Sequence, residues 1–250
     1  MSTNNRMKTK NAGSSRAEHD EFLTDVFYPT LYHESGHAVA AMLVGVRMKR
    51  LELLPKKTRG VLGVVTISKK RLPISTYAQK CDAGVPTQEA WDDYCRELLY
   101  DALVSMGGPV AEARFMGLSF FTRECHGWES DRYQLQCVMS EVFQSYGPAN
   151  LRNIVRRMVA FLDEVFQLDE VARASQVLKL TLFKKGRLHL NSKELDSVTA
   201  RYRQSFSELR ARLIDPFLNS LIVKHKQHEK RAEERLAEVM SRIISQYKMT

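Results

Sequence analysis

The sequence has no apolar run long enough to span a bilayer. A membrane helix needs roughly 18 apolar residues or more, and the best run here, Ala38 to Val46, is about half that length. The first stretch, residues 1–21, is polar and rich in Asn, Ser, Thr, Lys and Gly. It lacks the apolar centre of a secretory signal and reads as a disordered tail. Cysteine is sparse. Cys81, Cys95, Cys125 and Cys137 form no C-x-x-C pair and no regular spacing. This argues against a disulfide framework and leads us to expect free thiols in a reducing, cytoplasmic setting. There is no internal repeat and no long low-complexity tract.

What is present is an ordinary globular composition, with 44% hydrophobic and 27% charged residues in a chain of 250. That is enough for one large domain, or a domain with an extension. The net charge of +9 raises the question of nucleic acid. The excess is spread along the chain and into its C-terminal segment, and no reader motif accompanies it, so a solvated basic surface is the expected meaning.

Helical periodicity dominates. Pro29 suits the first turn of a helix that runs to about Val44 and is rich in small residues. Gly36 lies inside it, where glycine costs about 1 kcal/mol relative to alanine, so a close neighbour is expected there. Val46 to Ser68 holds β-prone runs, Leu51–Leu54 and Val61–Ile67, separated by a turn-like stretch from Pro55 to Gly60. Helical patterns return over Thr87–Met116, Glu129–Tyr146, Leu151–Gln167, Leu168–Leu182 and Lys193–Leu221. Gly147-Pro148 is a stop signal, residues 184–192 a break, and Pro216 a kink or boundary. The last segment starts with dense charge and ends in an apolar stripe of Leu236, Val239, Met240, Ile243, Ile244 and Tyr247. The expected fold is therefore mainly α with one small β-sheet and a C-terminal amphipathic helix. Four parts are expected: a tail (1–21), a core (22–147), a helical continuation (148–221) and a charged amphipathic helix (222–250).

The chemistry lies in His33-Glu34-Ser35-Gly36-His37, an H-E-x-x-H sequence on a predicted helix. Residues four apart share a face, so both imidazoles reach one ion. Glu34 is offset by about 100° from His33 and stands beside the ion without ligating it, placed to take a proton from water. Imidazole suits Zn2+, and zinc lowers the pKa of water toward neutrality. The small, largely uncharged residues from Gly36 to Val44 argue against an incidental surface helix. A catalytic zinc needs a third protein ligand. No further histidine follows at metzincin spacing, where Met42 and Leu43 stand instead. Glu112, Glu124, His126, Glu129, Asp131 and Glu141 are all candidates, and residue chemistry alone does not choose among them.

The stretch Tyr32 to Ala38 resembles the zinc motif of the peptidase domain in the FtsH family, the membrane-bound ATP-dependent zinc proteases. Three further blocks agree in order. Gly60-Val61-Leu62-Gly63-Val64-Val65 is similar to the family's glycine-containing strand. Gly107-Gly108-Pro109-Val110-Ala111-Glu112, with Gly117, resembles its G-G-R-x-A-E segment. Gly127-Trp128-Glu129-Ser130-Asp131 resembles the block holding its metal-binding aspartate. The resemblance covers roughly Pro29 to Tyr146. It implies a zincin-like helical peptidase domain that is a zinc-dependent endopeptidase. It also implies Asp131 as the third ligand, with Glu112 expected as an acid hydrogen-bonded near the site rather than as a ligand.

The strand residues Gly60, Val61, Leu62, Gly63 and Val64 are expected to bind substrate by β-strand addition, or else to be ordinary core. Pro109 replaces the family's usual arginine, and His126 and Trp128 stand where Thr and Ala are common, changes expected to reshape the rim without losing the metal. No G-x-x-x-x-G-K-[ST] phosphate loop occurs, nor a membrane anchor, so the expected activity is ATP-independent. Its substrates would be unfolded or flexible protein segments, unless a separate ATPase partner supplies others. The family's rings imply a homo-oligomer. Two other readings stay open: a zinc-bearing regulatory protein with little proteolysis, and, less favoured, a basic nucleic-acid-binding protein.

Overall fold

In a computed structural model, residues 27–58, 61–68, 87–121, 128–144, 146–184 and 188–247 are described. The expected tail, residues 1–21, lies outside them, as do Gly60, Glu124, His126, Cys81 and Cys125. The fold is mainly helical with one small antiparallel sheet. Helix α1 (Tyr28–Leu43) is followed by strands β1 (Met48–Thr58) and β2 (Val61–Ile67). Then come α2 (Gln88–Met116), α3 (Trp128–Val142), α4 (Pro148–Phe166) and α5 (Asp169–Lys184). A short strand β3 (His189–Asn191) precedes α6 (Ser192–Thr199) and α7 (Arg203–Leu209), and α8 (Asp215–Tyr247) ends the chain. Among the described residues, no helix is long and apolar enough to cross a membrane.

Helix α1 is the centre of the molecule. It is buried almost all round, from Pro29 to Ala41 with few breaks, which suits its small apolar composition. Pro29 sits in its first turn, where a missing N–H costs nothing. Its end is a Schellman closure. Val46 N–H bonds to the Ala41 carbonyl and Gly45 N–H to that of Met42, with Gly45 at φ 75°. Glycine takes that left-handed conformation without steric cost.

The neighbour expected at Gly36 is α2. A methyl group on Gly36 would lie 2.2 Å from the Gly107 carbonyl oxygen and 2.6 Å from the Ala111 Cβ. One on Gly107 would lie 2.6 Å from the Ala40 Cβ. Glycine and alanine on both helices thus let two backbones touch. Helix α2 itself starts on Thr87, whose hydroxyl accepts the Ala90 N–H.

The sheet has the order β2-β1-β3, with β2 at an edge. Leu51 pairs with Val65 on one side and Leu190 on the other. Residues 55–58, expected in a turn, continue β1, because pairing with β2 reaches as far as Thr58–Val61. Strand β3 falls in the stretch read as a break. At three residues it is too short to show alternation, and its pairing to β1 rather than local propensity makes it a strand. Helix α6 follows through a capping box between Asn191 and Glu194.

A single helix, α8, runs unbroken across position 222, and Pro216 lies in its first turn, so of the two roles expected for it, it marks a boundary and not a kink. Its first part is packed: Leu218, Leu221, Ile222 and His225 are buried. Residues 231–240 are exposed throughout.

Candidate metal centre

The two histidines of α1 and Asp131 of α3 converge on one point. His33 Nε2 and His37 Nε2 are 3.0 Å apart. The Asp131 Oδ2 atom is 3.1 Å from the first and 3.3 Å from the second. Ligands at zinc's usual bond lengths in a tetrahedron stand roughly 3.3 Å apart, so this triangle has the size of one coordination face. Among the described residues, these three form the one group of His, Cys, Asp and Glu able to hold a metal ion.

Both rings are held from behind. His33 Nδ1 lies 2.8 Å from Glu112 Oε2, and His37 Nδ1 lies 2.6 Å from the Val104 carbonyl oxygen. A carboxylate and a carbonyl can only accept, so each Nδ1–H donates. The Nε2 atoms are then left with lone pairs aimed at each other and at a carboxylate oxygen. Three acceptors face a common point, which is unfavourable without a cation between them. This is the metal-binding logic of an imidazole anchored through its other nitrogen.

The electrostatics show the same need for positive charge, which a proton on His33 meets where no metal ion does. Burial would push the His33 imidazole down, but hydrogen bonds to Asp131 and Glu112 and the charges of Glu34 and Asp131 outweigh it and raise it to about 10. Burial pushes Asp131 up, yet the His37 and His33 rings prevail and lower it to about 2. Glu34 is raised, first by its own burial and then by Asp131 and Glu112, against the opposing pull of His37 and His33. Three acids around two imidazoles make a buried cluster that gains from a positive ion.

Two glycines shape the chamber. A methyl group on Gly108 would fall 2.3 Å from His37 Nε2, so only glycine lets α2 lie flat against that ring. One on Gly63 of β2 would fall 2.4 Å from Glu34 Cγ and 2.5 Å from its Oε1. The sheet thus borders the cluster through Gly63, with Glu34 between the strand and the two histidines.

The expected residues divide clearly. His33, His37 and Asp131 come together, with Glu34 buried beside them. Glu112 is the acid behind His33, 1% exposed, and lies outside the triad. Of the remaining candidates, Glu129 is exposed and Glu141 accepts from Tyr94 OH on the far part of α2. Val61 and Leu62 are strand residues of β2, and Val64 is 38% exposed. Pro109 is buried inside α2 and not on a rim, which corrects the expectation drawn from its replacement of arginine. Sequence reasoning missed the Val104 carbonyl.

No known protein-family model matches this chain, and no curated protein matches it.

Proposed function

We propose that this chain is a zinc-dependent endopeptidase with a zincin-like, FtsH-peptidase-like core. His33, His37 and Asp131 would hold Zn2+, and Glu34 would act as general base. The observation that carries the reading is the triangle of Nε2, Nε2 and Oδ2 atoms, its edges between 3.0 and 3.3 Å, with a buried glutamate one residue from a ligand. The donor set is two imidazoles and one carboxylate, which favours zinc and leaves a position free for water or substrate.

When bound, zinc supplies Lewis acidity toward a carbonyl oxygen and toward water. The protein's own residues do the rest. Glu34 accepts the proton of the attacking water and passes it to the departing amine. Glu112 and the Val104 carbonyl fix the two imidazoles so that their lone pairs stay aimed at the site. Strand β2 gives the substrate a place. It is the edge strand of the sheet, and among the described residues no strand pairs its outer side. An extended peptide added there runs past Gly63, and hence past Glu34. Such a site takes unfolded or flexible segments, because a peptide must be extended to pair with an edge. A separate ATPase that unfolds substrates, and assembly with further copies of the chain, fit this reading.

Cleavage of an unfolded, casein-like substrate by the zinc-loaded protein tests it, with Glu34→Gln as the control. The expected result is that the variant keeps its zinc and loses cleavage. Undiminished cleavage by Glu34→Gln would overturn the mechanism. Zinc binding without any cleavage by the wild type would favour the regulatory reading instead.

A further inference from the structure

A cavity lies beside α1, and neither His33 nor His37 lines it. Its volume is about 370 Å³, within the range of small-molecule sites. It is bordered by Tyr32 of α1, Arg114 and Phe115 of α2, Phe166 of α4, and Val171 and Lys179 of α5. Tyr32 and Phe115 stack with centroids 4.0 Å apart and form one wall. Lys179 Nζ stands 3.6 Å above the Tyr32 ring.

The two cations at this cavity are not equivalent. Arg114 is already paired, with Nη1 donating to Asp163 Oδ1 at 2.9 Å. Among the described residues, no carboxylate pairs with Lys179, and its contact is the face of an aromatic ring. Burial is the sole influence on its ammonium, lowering it to about 8. A half-buried ammonium with a ring beneath it and no counter-ion is an unfinished electrostatic arrangement. The wall around it is largely apolar, so a fitting partner carries one negative charge and an apolar body.

We propose that this cavity binds a small organic monocarboxylate, its carboxylate on Lys179 and its apolar body against Phe115, Phe166 and Val171. The site is independent of the metal centre and of the peptidase reading.

The probe is 4-phenylbutyrate, compared by titration calorimetry with its uncharged primary amide. Wild type is expected to bind the carboxylate at least tenfold more tightly than the amide. Lys179→Met keeps the length of the side chain and removes its charge, and it should bring both probes to the same weak affinity. Lys179→Arg should restore a preference for the carboxylate. A bound carboxylate holds the ammonium protonated. Near pH 8.5, binding to wild type should therefore take up protons, seen as an enthalpy that depends on the buffer, and Lys179→Met should show none. An unchanged melting temperature and zinc content of Lys179→Met show that it is folded. If that variant does not fold, the carboxylate–amide difference and the proton uptake of wild type decide alone. Equal binding of carboxylate and amide to wild type, full carboxylate affinity in Lys179→Met, or no binding at millimolar concentration would overturn the proposal.

Discussion

Gly63 lies so close to Glu34 that a methyl group on the glycine would stand 2.4 Å from the Glu34 Cγ. The two residues come from different layers, the edge strand β2 and the central helix α1. What must yield in Gly63→Ala is the buried Glu34 side chain from Cγ outward rather than backbone. The proposed base therefore leaves its position. A misplacement near 1 Å lowers a rate by about 100-fold. Gly63→Ala should keep its zinc and lose about 1 kcal/mol of stability, the low end for overpacking, while cleavage of an unfolded substrate falls by about that factor. Metal analysis, a thermal melt and an activity assay on one preparation check this together.

The glycines of α1 and α2 should respond differently. In Gly36→Ala the new methyl meets the Gly107 carbonyl oxygen at 2.2 Å, backbone against side chain with neither able to rotate away. Overpacking of this kind costs about 1–3 kcal/mol, and here the upper end is expected in a urea titration. In Gly108→Ala the methyl meets His37 Nε2 at 2.3 Å. The ring must turn, so zinc affinity should fall more than stability does. Zinc titration beside urea unfolding separates the two variants.

These contacts explain how much of the site was legible in the sequence. The H-E-x-x-H pair is a local signal, because helix geometry alone brings positions 33 and 37 to one face. Asp131 was not readable in that way. It lies far along the chain, and its place depends on how α3 crosses α2, which no local pattern encodes. Resemblance pointed to it, and the convergence of Oδ2 on both Nε2 atoms supports the choice. Gly36 announced a close neighbour without naming it. The neighbour proved to be the backbone of Gly107, a residue with no side chain to be recognised by. Strand β3 was hidden for a related reason. Its pairing with β1 is long-range, and three residues are too few for a period. The Val104 carbonyl could not be foreseen from residue type, since every residue carries one.

Asp131 and Glu112 both lie within hydrogen-bonding distance of His33, but on opposite sides of the ring. Asp131→Ala removes the proposed third ligand, and zinc binding should be lost at micromolar metal. Glu112→Ala removes an anchor, and changes of that class cost about 10–100-fold in affinity. It also leaves a buried Nδ1–H without its acceptor, worth about 1–3 kcal/mol of stability. Competitive zinc titrations and melts of both variants check the order. The reverse order in zinc affinity would make Glu112 the ligand.

His225 gives the fold a pH dependence away from the metal. It is buried on α8 between the rings of Phe143 and Tyr146. On its own helix it faces His228 and, at 3.3 Å, Glu229. Burial lowers its pKa first, Glu229 opposes that, and His228 adds to it, so the net direction is down. A depressed folded pKa means that the unfolded chain binds the proton more readily. The stabilisation is complete above the unfolded value of about 6.5 and is lost as pH falls below it toward the folded value. His225→Phe keeps a ring in the aromatic contact and removes the titration. Its stability should change less than that of wild type between pH 7.5 and 5.5, measured by urea unfolding at each pH.

The last prediction concerns where α8 stops belonging to the body. Ile222 and His225 are 4% and 3% exposed, and Lys226 Nζ reaches Asp92 Oδ2 of α2 at 2.5 Å. From position 231 to 240 every residue is exposed, with Leu236 at 64% and Val239 at 51%. A chain ended after Lys230 therefore loses helix but, among residues 231–240, no buried side chain. It should keep the melting temperature and zinc content of the full protein. A chain ended after Leu221 loses Ile222, the His225 stack and the Lys226–Asp92 pair together. Burying one isoleucine is worth about 1.5–3 kcal/mol before the other two contacts are counted. The shorter chain should lose at least about 3 kcal/mol on that footing, while the proposed metal site, built on α1, α2 and α3, should still fill with zinc when the chain is folded. Urea unfolding and metal analysis of the two truncations check this, and equal destabilisation by both would show that the exposed half of α8 supports the body after all.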